Sequence, residues 1–369
     1  MHTLEIPVKQ SGKKARILLA CKESVRGGGM EKHIIQIARY LSKDYQLSFL
    51  MTDGYVESDM PDLGRIYRFP GRGRLLFFPL DLCYLVYVLL RERIDILHAH
   101  QRYPAFLGSL VSPMLRRKLL VTVHNAFPDK AGFSLWGDHM IAVSHGVELW
   151  LIDSCHQDRE RITVVHNGIA PPRSWAAAEL DSLRDEFSIP RNSLVLFSVG
   201  RLSEQKNHAS MLRILSKINC QDWIFLLAGE GEMRQELEDQ AIQLGIENKV
   251  KFLGFRQDVD GLMQLADIFI MTSAWEGLPY VLVEAMASGL PAIVTNVGGV
   301  AEAVIDGDNG IVVDAGNEEI FTKKLELLIG NAQLRHDMSA AGKVRFREQF
   351  LDQAMFDSIE REYSRLLNV

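Results

Sequence analysis

Short apolar runs alternate with helix-patterned segments along almost the whole chain. This alternation limits what the 369 residues can fold into more than any other feature. In the first half Ile17–Ala20, Tyr45–Met51, Arg65–Phe69, Ile94–His98, Leu119–Val123, Met140–Val143 and Ile162–Val165 read as strands, with helical spacing between several of them, as in Glu31–Leu41. The second half repeats the pattern with Leu194–Val199, Trp223–Ala228, Val250–Leu253, Ile268–Met271, Ala292–Thr295 and Gly310–Val313. A strand that returns through a helix pairs parallel with its predecessor, so helices must cover both faces of each sheet. The alternation lapses from Ala170 to Asn192, where Pro171, Pro172, Pro190 and a charged stretch intervene. The expectation is an α/β chain of two doubly wound, Rossmann-like domains facing a cleft, one over 1–172 and one over 173–350. The remainder, 351–369, carries a helix over Asp352–Leu367 positioned to pack back on the first domain.

Composition excludes several classes. With 47% hydrophobic and 24% charged residues the chain is an ordinary globular one rather than a disordered or fibrous one. Cys21, Cys83, Cys155 and Cys220 lack paired spacing, which argues against a zinc knuckle or a disulfide framework and for a reducing compartment. Met1 to Arg16 has no apolar signal core, and Leu75–Leu90, interrupted by Pro79 and Asp81, is too short to span a bilayer. A cytoplasmic protein is expected.

Charge is uneven. Residues 1–172 hold 22 Lys and Arg against 17 Asp and Glu, while the rest hold 19 against 30. Arg65, Arg68, Arg72 and Arg74 precede the aromatic pair Phe77 and Phe78, with Arg116, Arg117 and Lys118 further on. Such a surface fits anionic lipid on the inner face of the plasma membrane, an anionic acceptor, or plain solvation. No nucleic-acid partner is expected.

Chemistry concentrates in the run from Ser273 to Pro291. Gly277 and Pro279 mark a loop after the strand Ile268–Met271, and Tyr280–Ser288 reads as a helix ended by Gly289 and Pro291. Glu276 therefore precedes the helix and Glu284 lies in its second turn. Open α/β sheets bind ligands beyond the strand's carboxyl end, and two carboxylates there suit hydroxyl donors better than phosphate.

Gly27, Gly28 and Gly29 follow the first strand and open the first helix, letting backbone approach an anion, though the spacing is not that of a dinucleotide fingerprint. Gly200, Arg201 and Lys206 follow Phe197–Val199, and a guanidinium fork with a mobile ammonium suits a diphosphate. Gly229, Glu230 and Gly231 form another turn after a strand. His98, His100, His124 and His166 fall at strand ends, with His124 expected to face the cleft. They lack the spacing of a metal site. Asp258 and Asp260 precede a helical run and read as caps rather than metal ligands.

Taken in order, Gly27–Gly29, His124, His166–Gly168, Gly200–Arg201, Lys206, Gly229–Gly231, Glu276, Glu284 and Gly298–Gly299 resemble the retaining family-4 glycosyltransferases of the GT-B fold. The resemblance covers about nine-tenths of the chain and is more specific in the second half. It implies a nucleotide-sugar donor in the cleft, a uridine nucleotide being the commonest expectation, and a glycan or lipid-linked acceptor. Arg201 and Lys206 would hold the diphosphate with backbone help from Gly28 and Gly29, and Glu284 the ribose. Glu276 would contact the donor sugar, with Gly277 and Leu278 in the same loop, and His124 would lie near the reacting sugar. Neither a cofactor nor a metal would be needed. Asn207–His208, where relatives carry glycine after the lysine, and Ala170, in place of an acidic residue, depart from the pattern. Two other readings remain: a nucleotide-sugar sensor on the same scaffold, and a dehydrogenase, which the missing Gly-x-Gly-x-x-Gly disfavours.

Overall fold

The structure is a computed structural model describing residues 14–22, 28–52, 62–73, 75–126, 137–219 and 222–368. Gly27, Arg74 and Cys220, singled out above, lie outside the described residues, as does nearly all of the segment before Arg16.

The first half runs β1 (Arg16–Ala20), α1 (Gly29–Leu41), β2 (Gln46–Met51), β3 (Gly64–Arg68), α2 (Phe78–Arg91), β4 (Ile96–Ala99), α3 (Arg102–Leu115), β5 (Lys118–Val123), β6 (His139–Ala142), α4 (His145–Asp153) and β7 (Ile162–Val164). The second runs α5 (Ala177–Glu186), β8 (Leu194–Val199), α6 (His208–Ser216), β9 (Trp223–Ala228), α7 (Arg234–Gln243), β10 (Val250–Gly254), α8 (Val259–Leu265), β11 (Ile268–Met271), α9 (Tyr280–Ser288), β12 (Ala292–Asn296), α10 (Val300–Ala303), β13 (Gly310–Asp314), α11 (Glu318–Gly330), α12 (Ala332–Gln349) and α13 (Asp352–Leu367).

The strands form two parallel sheets, ordered β3-β2-β1-β4-β5-β6-β7 and β10-β9-β8-β11-β12-β13. Successive strand residues point to opposite faces, and both faces are buried. In β1, Ile17 and Leu19 join α1 in one core cluster, while Leu18 and Ala20 join α2 and α3 in another. Polar residues would leave one face wet; the continuous apolar runs leave neither.

The last helix crosses back. Met355, Phe356, Ile359, Tyr363 and Leu366 of α13 form a helical stripe buried against Ile17 and Leu19 of β1, each contributing about 1.5–3 kcal/mol of apolar burial. The chain enters α13 through a bridge between Ile169 and Leu351.

One expectation, that Asp258 and Asp260 act as caps, needs correction, and one segment holds an element not foreseen. The stretch Ala170–Asn192 holds α5, started by Glu179, whose carboxylate accepts from the Ala176 backbone N–H at 2.8 Å. Its burial is slight, only Leu183 being covered, so no apolar stripe announced it. Asp258 stands at the N-cap position of α8 but makes no side-chain cap, because Arg256 takes its carboxylate at 2.9 and 2.7 Å. Asp260 instead accepts from Trp175 Nε1 at 3.0 Å. Among the described residues no helix is long and apolar enough to cross a membrane.

Candidate active site

In each sheet the strand order reverses at one point, between β1 and β4 and between β8 and β11. Connections leave in opposite directions there, opening a crevice at the carboxyl ends. The two crevices face one another. Gly277, after β11, abuts the His124 carbonyl after β5 so closely that a Cβ would overlap it. Only glycine permits that approach.

Lys206 ends a 3-10 turn, Glu204–Lys206, reached from β8. Its stem runs over Gly200, where a side chain would meet Lys206 carbons at 3.2–3.4 Å. Lys206 Nζ then meets Glu276 Oε1 at 2.5 Å, with side chains 17% and 6% exposed. Asn207 follows with φ +50°, joining the turn to α6. Asparagine tolerates the left-handed region better than most residues, so it can hold this turn without a glycine.

The second carboxylate reaches across the cleft. Glu284 of α9 pairs with Lys32 of α1, and Tyr280, opening α9, places its hydroxyl 2.9 Å from His33 Nδ1. Asn167 donates from Nδ2 to the Leu278 carbonyl at 2.7 Å. Leu278 itself is buried. The start of α9 is thus gripped by residues of the opposite domain.

His33, His98, His100 and His124 pack as one group, His33 edge-on to His100 and His124, which stack on each other. Ring centroids are 4.8 Å apart for His33 and His124 and 4.2 Å for His98 and His100. Burial pushes His33 down to about 4, opposed by Asn167 beside it. Burial, with mutual repulsion of the rings' charged forms, holds His98, His100 and His124 well below the usual imidazole range. All four are neutral near pH 7 and can ligate or exchange hydrogen bonds.

A further contact closes the cleft's other side. Glu302 of α10 accepts from the His145 and Gly146 backbone N–H groups at 2.9 and 3.0 Å and meets His166 Nε2 at 2.8 Å. It thereby caps α4 from the opposite domain, where helix N–H groups lack partners. Burial acts to raise the Glu302 carboxyl, yet His166 and the two N–H groups together hold it below its usual value.

Of the residues expected at the site, Lys206, Glu276, Gly277, His124 and Glu284 line the facing crevices, Gly28 precedes α1 and Gly29 begins it beneath Tyr280. Arg201 stands apart from this pairing: it faces Glu232 at 3.4 Å, both side chains being more than half exposed. Sequence reading held Asn167 only as part of the His166–Gly168 motif and missed Lys32, His33, Tyr280 and Glu302 as site residues. Lys32 and His33 follow the glycine run directly, and Glu302 follows Gly298–Gly299 by three positions; their partners are distant in sequence and left no local signal. Among the described residues two clusters could hold a metal ion: His33, His100 and His124, and His145, His166 and Glu302.

The profile for Glycosyltransferase Family 4 matches residues 27–173, and that for Glycosyl transferases group 1 matches residues 181–345. The chain is 28% identical to N-acetyl-alpha-D-glucosaminyl L-malate synthase of Bacillus anthracis over 75% of this chain and 76% of that protein. It is 26% identical to UDP-Gal:alpha-D-GlcNAc-diphosphoundecaprenol alpha-1,3-galactosyltransferase of Escherichia coli over 66% and 69% of the two chains. Its fold is that of Anabaena HepE in complex with UDP-glucose, with a TM-score of 0.85 at 24% identity over 95% of this chain and 99% of that one. Two facing Rossmann-like domains and two profiles that together span most of the sequence place the chain among the family-4 glycosyltransferases of the GT-B fold.

Proposed function

We propose that the chain transfers a sugar, with retention of configuration, from a uridine-linked donor to a lipid-linked or saccharide acceptor in surface polysaccharide or glycolipid assembly. One observation carries this reading: a buried ammonium–carboxylate pair, Lys206 and Glu276, at the switch point of the second sheet, with a second carboxylate, Glu284, one helix turn beyond. The relative from Escherichia coli, named for a UDP-Gal donor and a diphosphoundecaprenol-linked acceptor, supports the choice of donor and acceptor class.

In this reading Lys206 exchanges Glu276 for the donor's diphosphate. Glu276 and Glu284 then accept hydrogen bonds from the donor sugar and the ribose, and Arg201 swings in from the surface. Positive groups aimed at the leaving diphosphate count most as charge develops there. Lys206, Arg201 and the helix starts at Gly28 and Gly29 supply that charge without a metal ion. The departing phosphate takes the acceptor's proton as the hydroxyl attacks from the same face, so Glu276 is a sugar contact and not a nucleophile. His124, neutral, contacts the reacting sugar.

The acceptor reading includes a membrane. Leu76, Phe77 and Leu80 are exposed at the start of α2, with Arg72 just before them. Apolar side chains beside cations suit an anionic bilayer surface. Replacing Leu76 and Leu80 by Glu should release the protein from anionic liposomes; undiminished binding would return this patch to solvent.

The test is transfer itself. Labelled UDP sugars are offered with undecaprenyl-diphosphate-linked saccharides in EDTA, and the product anomer is read by NMR. An α-linked product from an α-linked donor is expected; an inverted product, or none from any such pair, would refute the reading.

A further inference from the structure

His33, His100 and His124 converge from α1 and from the ends of β4 and β5, and each offers one ring nitrogen within 4.8 Å of the other two. His33 and His100 are 1% and 2% exposed, and each leaves its Nε2 buried without a hydrogen-bond partner. Buried polar atoms are nearly always paired, so the free Nε2 of His33 calls for an occupant, while His100 turns its other nitrogen, Nδ1, toward His124 Nε2. Asn167 interacts with His33 through its side chain, but its Oδ1 does not reach full hydrogen-bond geometry. The other nitrogen of His33 is held by the Tyr280 hydroxyl at 2.9 Å. One nitrogen fixed by an oxygen and the other free is how ligating imidazoles are oriented. His98 differs, because Tyr363 and Thr122 take its two nitrogens at 2.7 Å each.

We propose that His33, His100 and His124 bind one divalent transition-metal ion of the zinc class, with the ion's remaining position open to the cleft. His124, the only partly exposed member, marks the open side. Zinc–nitrogen bonds of about 2.0–2.1 Å space tetrahedral ligands about 3.4 Å apart. His100 Nδ1 and His124 Nε2 are already 3.2 Å apart. The other nitrogens must close in by no more than about 1.4 Å from their 4.8 Å limit. All three rings bind as neutral imidazoles, so no proton needs to leave; their hydrogen bond gives way to metal–nitrogen bonds. A donor set of nitrogens alone selects zinc, cobalt, nickel or copper and rejects magnesium and calcium, which require oxygen. A consequence that rests on the proposed donor site is that the ion and the sugar nucleotide exclude one another at His124.

The experiment uses the full chain, freed of metal with EDTA and desalted, and titrated with cobalt(II). The expected result is a visible absorption band saturating at one cobalt per chain, displaced by zinc and untouched by magnesium. His33→Gln should abolish the band, and so should His124→Gln, which alters the least buried ligand and guards against misfolding of the first variant. Tyr280→Phe should weaken binding by about 10- to 100-fold through the lost orienting oxygen. His145→Gln, in the other cluster, should leave the band unchanged. Absence of a band, its survival in both His33→Gln and His124→Gln, or its loss in His145→Gln would overturn the proposal. No nucleotide enters these readouts, so failure of the donor assignment would not affect them.

Discussion

Lys206 Nζ and Glu276 Oε1, 70 positions apart in sequence, meet at 2.5 Å in a mostly buried ion pair where β8 and β11 run side by side. Breaking such a pair from one side strands a charge, which costs about 3–5 kcal/mol in a buried setting. Lys206→Ala and Glu276→Gln should therefore each lower the melting temperature and reduce transfer by about 10²- to 10³-fold. The double variant Lys206→Met, Glu276→Gln should regain much of the stability and none of the activity. Calorimetry beside a transfer assay separates the two effects; recovery of activity in the double variant would refute the assigned roles.

Glu284 pairs with Lys32, a residue of the opposite domain. If ribose hydroxyls replace Lys32, removing the lysine removes a competitor whose hold is about 0.2–1 kcal/mol for a pair with its lysine 42% exposed. Lys32→Ala should bind UDP up to about fivefold more tightly by titration calorimetry. Weaker binding would mean that Lys32 contacts the nucleotide itself.

Buried neutral histidines make stability pH-dependent with a fixed sign. His33 and His208 fall from 6.5 to about 4 and about 3 on folding, through burial. Between 6.5 and those values the unfolded chain holds protons that the folded chain lacks. Stability is therefore intact above 6.5 and is lost as pH falls, by about 1.4 kcal/mol per pH unit for each group. His98, His100 and His124 shift the same way. Urea unfolding at pH 7 and pH 5 should differ by at least about 3 kcal/mol; equal stabilities would show that the cluster is protonated or hydrated.

Glu302 joins α10 to the start of α4 and to His166. Glu302→Gln keeps the shape but loses the charge, and hydrogen bonds to a charged group contribute about 1.5–3 kcal/mol. The melting temperature should drop and the two domains should open, seen as a larger radius in X-ray scattering. An unchanged radius would mean that the apolar contacts between the domains suffice without it.

What the sequence disclosed follows from how local each signal is. Strand β11, the Gly277–Pro279 loop and helix α9 were legible because glycine, proline and apolar period all act within a few residues, and Tyr280–Ser288 emerges with those bounds. Helix α5 was not, since only Leu183 of it is buried and prolines flank it. Glu276 and Lys206 could be named separately, but their pairing depends on sheet order, which no single segment encodes. His33–Tyr280 and Lys32–Glu284 depend on how two domains face, a relationship with no periodicity to read. Asp258 shows the reverse failure: a good capping residue in the right place, claimed by Arg256 two positions earlier.

The central claim is that the cleft binds a nucleotide sugar through Lys206 without a metal. Its most direct measurement is thermal unfolding of the EDTA-treated protein with a panel of UDP sugars, compared in the wild type and Lys206→Ala. The account predicts that at least one UDP sugar raises the wild-type melting temperature in EDTA, and that this rise disappears in the variant. Stabilisation of both proteins alike, or of neither by any nucleotide sugar, would contradict it.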